Sequence, residues 1–264
     1  MSNLVQALNS SMQWMENHLP EYANSFLPGL TFDEILEQVE IIGSPLPDEL
    51  YELYEWRGGT ASDVPSFVFP AFEFIPLEKV IEVNQQANGD PMIRDLFTFN
   101  DQPLLPFMAR DGRHCAVLLS QKSALSSPVV YIEKQGGGEY IAFSSVTSMM
   151  CSLAECFDTG AYYLDADGYI DIHPVQVAEV LCKHNPQLVE QALADIRFLF
   201  TDFDLNYDIQ MFISKTLQAL GRLRPPETVE IVNEALARYS LDSTRKGNII
   251  CSLLNRTLNN LLDD

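Results

Sequence analysis

The chain has 264 residues, 47% hydrophobic and 20% charged, the proportions of a globular protein with room for one large domain or two ordinary ones. Its 37 acidic against 16 basic residues give a formal charge of −21, a field that repels nucleic-acid phosphate and anionic membrane surfaces and draws in a basic protein. Nucleic acid and membrane are thus excluded as expected partners.

The acidity is uneven. Residues 1 to 160 hold 22 acids and 7 bases, residues 161 to 264 hold 15 and 9, and the first Lys or Arg is Arg57, after ten acids. No apolar run approaches the ~20 residues that span a bilayer, and the opening Met1-Ser2-Asn3-Leu4-Val5-Gln6 lacks a basic leader region. The five cysteines are odd in number and form no C-x-x-C pair, which points to free thiols in a reducing compartment and a cytoplasmic location.

Leu4, Leu8, Met12 and Met15 recur at helical spacing, as do Phe32, Ile35, Leu36 and Val39, so two lead-in helices are expected over residues 3 to 18 and 32 to 42. In Leu46-Pro47-Asp48-Glu49-Leu50-Tyr51-Glu52-Leu53-Tyr54-Glu55-Trp56-Arg57-Gly58-Gly59, Pro47 and two acids suit a helix start, and Leu46, Leu50, Leu53 and Tyr54 share one face. Gly58 is expected to stop this helix, leaving Trp56 as either a core plug or the wall of a recognition groove. Glu49, Glu52 and Glu55 fall on or near its exposed side, a solvated face by default and otherwise a contact stripe.

The pattern then becomes extended: Phe67-Val68-Phe69 and Phe72-Glu73-Phe74-Ile75 read as strands, with Pro70 at a bulge and Pro76 opening a helix that buries Leu77, Val80 and Ile81. Leu104 to Met108, Cys115 to Leu119, Val129 to Ile132 and Tyr140 to Phe143 are strand-length runs. Asp111-Gly112 and Gly136-Gly137-Gly138 between them signal hairpins and so an antiparallel meander. Ser144 or Ser145 can cap the closing helix, whose inner face is Met149, Met150, Leu153 and Phe157.

The helix with its Leu-Pro start, aromatic end and glycines, followed by Pro70-Ala71-Phe72-Glu73-Phe74-Ile75-Pro76-Leu77, resembles the SMI1/KNR4 family of the SUKH superfamily. The resemblance covers roughly residues 31 to 165, including Ser144-Ser145-Val146 and Glu155 to Tyr163. Family members usually carry Asn-Gly where this chain has Gly58-Gly59, so a role for that Asn side chain does not carry over. The resemblance implies an α+β fold with helices flanking a central, mainly antiparallel sheet over residues 1 to 165, which the order of elements also supports. From Pro174 to residue 264 only helical faces remain, divided at Asn185-Pro186, 202 to 206, Pro225-Pro226 and 240 to 243, so an all-α domain or cap is expected there.

Chemistry-bearing patterns are thin. Asp165-Ala166-Asp167-Gly168-Tyr169-Ile170 looks like the centre of a calcium loop, but Tyr163 and Pro174 stand where ligands belong, so a turn is the better reading. His18, His114, His173 and His184 have no zinc spacing, and His114-Cys115 in a strand point to opposite faces. No metal and no cofactor is expected. Gly136-Gly137-Gly138 lacks the G-K-[ST] of a phosphate loop and reads as a hairpin loop.

The SUKH superfamily is regarded as one of interaction proteins, including immunity proteins that neutralise toxins and a fungal branch tied to cell-wall regulation. The resemblance thus implies a non-enzymatic protein-binding module, with neutralisation of a basic toxin as one role and an intracellular adaptor as the other. Its binding groove is expected near Tyr54, Trp56, Gly58, Gly59 and Glu73, with Glu52 and Glu55 at the rim guiding a basic partner. The rival class is an enzyme with a carboxylate pair, for which Glu73 and Glu78 are the candidates.

Overall fold

The computed structural model describes residues 1–61, 72–120, 122–133 and 138–262. The expected strand Phe67-Val68-Phe69, the bulge at Pro70 and most of the triple-glycine loop lie outside them. The chain divides into two compact units, Met1–Gly160 with Asp165–Ile170, and Ala161–Leu164 with Asp171–Asp264. The architecture is α+β, with a mainly antiparallel sheet followed by a helical C-terminal region.

The first unit opens with α1 (Asn3–His18), α2 (Pro20–Ala23), β1 (Phe26–Pro28), α3 (Phe32–Ile42) and α4 (Asp48–Trp56). Ser2 starts α1 by accepting a hydrogen bond from the Val5 N–H at 3.2 Å. Thr31 and Glu34 form a reciprocal capping box at α3, and the two bonds from Thr31 hold the Glu34 carboxyl below its usual range. α4 buries Leu50, Leu53 and Tyr54 beside Leu46, the stripe expected from the sequence.

β2 (Arg57–Thr60) follows α4 directly, then β3 (Glu73–Phe74), α5 (Leu77–Gly89), α6 (Pro91–Leu96), β4 (Thr98–Phe99), β5 (Gln102–Arg110), β6 (Arg113–Leu118), β7 (Val129–Glu133), β8 (Gly138–Phe143) and α7 (Val146–Thr159). Gly58 does not stop α4. The helix ends at Trp56 because Arg57 already has extended backbone, φ −150° and ψ 141°, and both glycines lie inside β2, which pairs antiparallel with β1. Their lack of a side chain serves close packing: a Cβ on Gly58 would stand 2.7 Å from the Pro28 carbonyl oxygen, and one on Gly59, at φ +121°, 2.6 Å from the Pro76 Cα.

β3, β5, β6, β7 and β8 form one antiparallel sheet in that order, with β4 also paired to β5. Asp111 and Gly112 turn β5 into β6 at φ 49° and 79°, the left-handed pair a two-residue hairpin needs. Asn100 and Asp101 do the same between β4 and β5, at φ 49° and 62°. One sheet face carries Leu104, Ala116, Val130 and Ile132 beside Phe97. Ser145 caps α7, whose Met149, Met150, Leu153 and Phe157 are buried as expected.

β9 (Tyr162–Leu164) and β10 (Ile170–Ile172) form a two-stranded ribbon that the sequence did not announce. α8 (Pro174–His184), α9 (Pro186–Ile196), the 3-10 turn η1 (Arg197–Phe200), α10 (Tyr207–Leu223), α11 (Thr228–Tyr239) and α12 (Arg245–Leu262) complete the second unit, with no strand among the described residues from 174 onward. Ile196, Leu199, Ile213, Leu217, Leu220, Val232, Ile250 and Leu254 are part of its core.

Gly59→Ala must displace the Pro76 backbone and hold Ala at a left-handed φ, so it is expected to cost about 3 kcal/mol in urea unfolding. Gly43→Ala, also at positive φ (+74°) but with open space around the added methyl, is expected to cost about 1 kcal/mol. Equal losses would remove the close approach as the reason for Gly59.

Candidate functional site

The residues of α4 divide by direction. Leu50, Leu53 and Tyr54 point inward; Glu49, Glu52 and Trp56, at i, i+3 and i+7, lie along one flank; Asp48, Tyr51 and Glu55 face out. The flank joins α4 to its neighbours. Glu49, expected on the exposed side, is buried, and its carboxylate accepts hydrogen bonds from the Val146 N–H at 3.2 Å and the Thr147 N–H at 2.9 Å. These are orphan donors of the first turn of α7, whose dipole end favours an anion. Glu52 accepts from the Ser2 hydroxyl at the start of α1. The Trp56 Nε1–H donates to Asn9 Oδ1 of α1 at 2.9 Å.

Trp56 is half-buried. Its ring meets Phe26 of β1 edge-on at 5.4 Å between centroids, and the Arg57 guanidinium lies 5.1 Å from the ring centre. Its polar handle is already spent on α1, so it fastens the end of α4. Tyr54 is correctly placed as a core residue and not as a groove wall. It is fully buried, its hydroxyl donates to the Ile75 carbonyl at 3.1 Å, and burial drives its phenol pKa upward. Gly58 and Gly59 are also buried. Glu73 is exposed on β3, opposite Ala109 in the sheet register.

The outward surface consists instead of Asp48, Tyr51 and Glu55, with Glu52 at its edge. At one end Tyr51 packs against Phe32 of α3, ring centroids 5.6 Å apart, and Phe32 is 50% exposed with Leu36 beside it at 38%. At the other end is the Phe26–Trp56 pair. The two aromatic pairs thus bracket Glu52 and Glu55, with Asp48 one turn beyond Tyr51, and no Lys or Arg occurs anywhere in residues 1 to 56. Sequence reasoning missed Phe26, Phe32 and Tyr51 as site residues. The signal for Tyr51 was available, since it lies opposite Leu53 on the helical wheel, whereas Phe26 and Phe32 are brought in by tertiary packing.

Nucleophile activation is absent from the thiols that respond to their surroundings. Burial, with Glu155 adding to it, pushes the Cys156 thiol up to about 12. Cys151 and Cys182 are also raised by burial first and nearby carboxylates second, the reverse of a reactive thiolate. Cys115 is buried in the sheet, and neighbouring His114 sits edge-on to Phe97 at 5.1 Å. Asp165 spends its carboxylate on its own turn, accepting from the Asp167 and Tyr169 N–H groups at 2.9 and 2.8 Å. Glu73 and Glu78 are both exposed. Among the described residues no three His, Cys, Asp or Glu side chains converge as metal ligands.

Comparison with protein-family models found no match to this chain, and comparison with curated proteins found none either.

Glu49→Ala strands two N–H donors at the buried start of α7 and is expected to cost about 2 kcal/mol in urea unfolding, with Glu49→Gln about half as harmful because one acceptor remains. Amide hydrogen exchange at Val146 and Thr147 should accelerate in the Ala variant; unchanged exchange there would show that the carboxylate does not hold the helix start. Trp56→Ala is expected to cost about 2 kcal/mol, and Trp56→Phe, which keeps the contact with Phe26 but loses the bond to Asn9, about 1 kcal/mol.

Proposed function

We propose that this chain is a non-enzymatic protein-binding module, that its first unit is SMI1/KNR4-like, and that it receives a basic protein on the outward face of α4 and the adjoining start of α3. The observation that carries this reading is the one-signed surface of α1 to α4: no Lys or Arg in 56 residues and ten carboxylates, of which Glu49 alone is buried, with Glu52 and Glu55 of α4 bracketed by aromatic pairs. Such a surface steers a positive partner toward it, and half-exposed aromatic rings supply apolar contact once the partner arrives. Phe32 and Tyr51 are the anchors, Glu55, Asp48 and Glu52 the steering charges, and Trp56 a positioning residue at the edge. Neutralisation of a basic toxin and docking of a basic cellular protein both use this chemistry. Exposure of the anchors supports binding.

The test is carbodiimide cross-linking, which joins carboxylates to lysine amines, applied to the full chain in extract of its own cells, with the captured partner then purified for kinetics. Cross-links on Asp48, Glu52 and Glu55 and a basic partner are expected. Phe32→Ala should leave the melting temperature unchanged and speed dissociation about tenfold, while Glu52→Gln with Glu55→Gln should slow association about threefold and flatten its salt dependence. Cross-links confined to other surfaces, or association indifferent to both acids, would overturn the assignment.

A further inference from the structure

In the second unit the core does not end at a closed surface. Leu193 of α9, Phe200 of η1 and Ile231 of α11 pack against that core while remaining partly exposed, and they form the floor of an open cleft of about 510 Å³. One wall is α11, which presents Glu227, Glu230 and Glu234 to the cleft; the other is α9 with η1, which presents Arg197. At 1.5 Å of rise per residue the three carboxylates extend over about 10 Å, two turns of helix. All four charged side chains are exposed. Among the described residues none of them is in an ion pair. Glu227 stands at the N-cap position of α11 but makes no side-chain capping bond. Two bonds from the end of α11 tie it to η1: Arg238 Nη1 donates to the Phe200 carbonyl at 2.8 Å, and the Tyr239 hydroxyl donates to the Leu199 carbonyl at 2.6 Å. The wall that carries the acids is therefore anchored, and the cleft is present without a partner.

We propose that this cleft is a second docking site, independent of the α4 face, and that its occupant is a basic amphipathic helix of another protein. Charge complementarity selects that occupant. Three carboxylates at i, i+3 and i+7 on one wall match Lys or Arg repeated every three to four residues along a helix, and the apolar floor matches the leucine-type stripe of the same helix. Arg197 on the opposite wall sets the direction of approach, because it repels a base there and accepts an acidic residue on the other flank. An apolar helix without bases leaves the Glu row desolvated and uncompensated, and an acidic helix is repelled by it.

The experiment is fluorescence anisotropy of the full chain with a labelled synthetic helix of about 16 residues, leucines on one face and lysines on one flank. A counterpart with glutamate for lysine is the control. The basic peptide should bind saturably and about twentyfold more tightly than the acidic one. Glu230→Lys with Glu234→Lys, both exposed positions, should weaken it at least about tenfold with no change in melting temperature, as should raising salt from about 50 to about 300 mM. Glu52→Gln with Glu55→Gln should leave binding unchanged, which separates this site from the α4 face. The proposal is overturned if the charge-reversed α11 variant binds within about twofold of the parent, if the acidic peptide binds as well as the basic one, or if the α4 variant alone abolishes binding. Stoichiometric displacement by spermidine at equal concentration would overturn it too, since a small polyamine and not a helix would then be the fitting occupant.

Discussion

The position of α4 depends on a buried carboxylate. Among the described residues Glu49 is the one Asp or Glu that is buried. An ionised carboxyl taken out of water costs several kcal/mol unless its lone pairs are filled. Here they are filled by two first-turn N–H groups of α7, almost a hundred residues away, so the cost to each partner is offset by the other. Because the bond fixes the azimuth of α4, it also fixes every other side chain of that helix: Leu50, Leu53 and Tyr54 must enter the core, and Tyr51 and Glu55 must leave it. Glu52 against Ser2 and Trp56 against Asn9 repeat the restraint two further times along the same flank.

This arrangement explains how a helix bearing four acids in nine residues can sit against a sheet-backed core and still leave a coherent exterior. One acid is consumed inside, one is held at the seam with α1, and Asp48 and Glu55 remain in water. No base interrupts the field from the first helix to the last turn of α4. A surface of one sign is a poor contributor to stability and a good instrument for approach, since its attraction reaches about a Debye length of 8 Å in physiological salt. The aromatic pairs at either end act at shorter range.

The helical unit uses a different construction. Its core is a conventional interleaving of apolar faces from α9 to α12, and Lys246 lies 3.9 Å from the Phe203 ring centre while donating to the Phe203 carbonyl. Three of its acids, Glu227, Glu230 and Glu234, are set in a row at the start and along α11, while others lie on α8, α9 and α10.

The sequence by itself determined the local structure: the helices over residues 3 to 18 and 32 to 42, the hairpin at Asp111-Gly112, a cap at Ser144 or Ser145, and the change from strand-length runs to helical faces after Pro174. Each follows from spacing or from a residue's own backbone preference, which neighbours in sequence suffice to reveal. The candidate site was legible only in part. Glu52, Glu55 and Trp56 were found as helix positions, but Glu49 was misplaced because period alone cannot distinguish a solvated acid from one that meets a helix start 97 residues later. Tyr54 was assigned to a groove because an aromatic near a helix end looks the same whether its hydroxyl meets water or the Ile75 carbonyl. Gly58 was read as a helix stop and both glycines as part of a groove, whereas their role depends on Pro28 and Pro76, brought in by strand pairing and close packing. The pairing of Phe32 with Tyr51, and the cleft between α9 and α11, were decided only by tertiary structure, because helical periodicity shows which face of a helix is apolar but not which other helix will stand beside it.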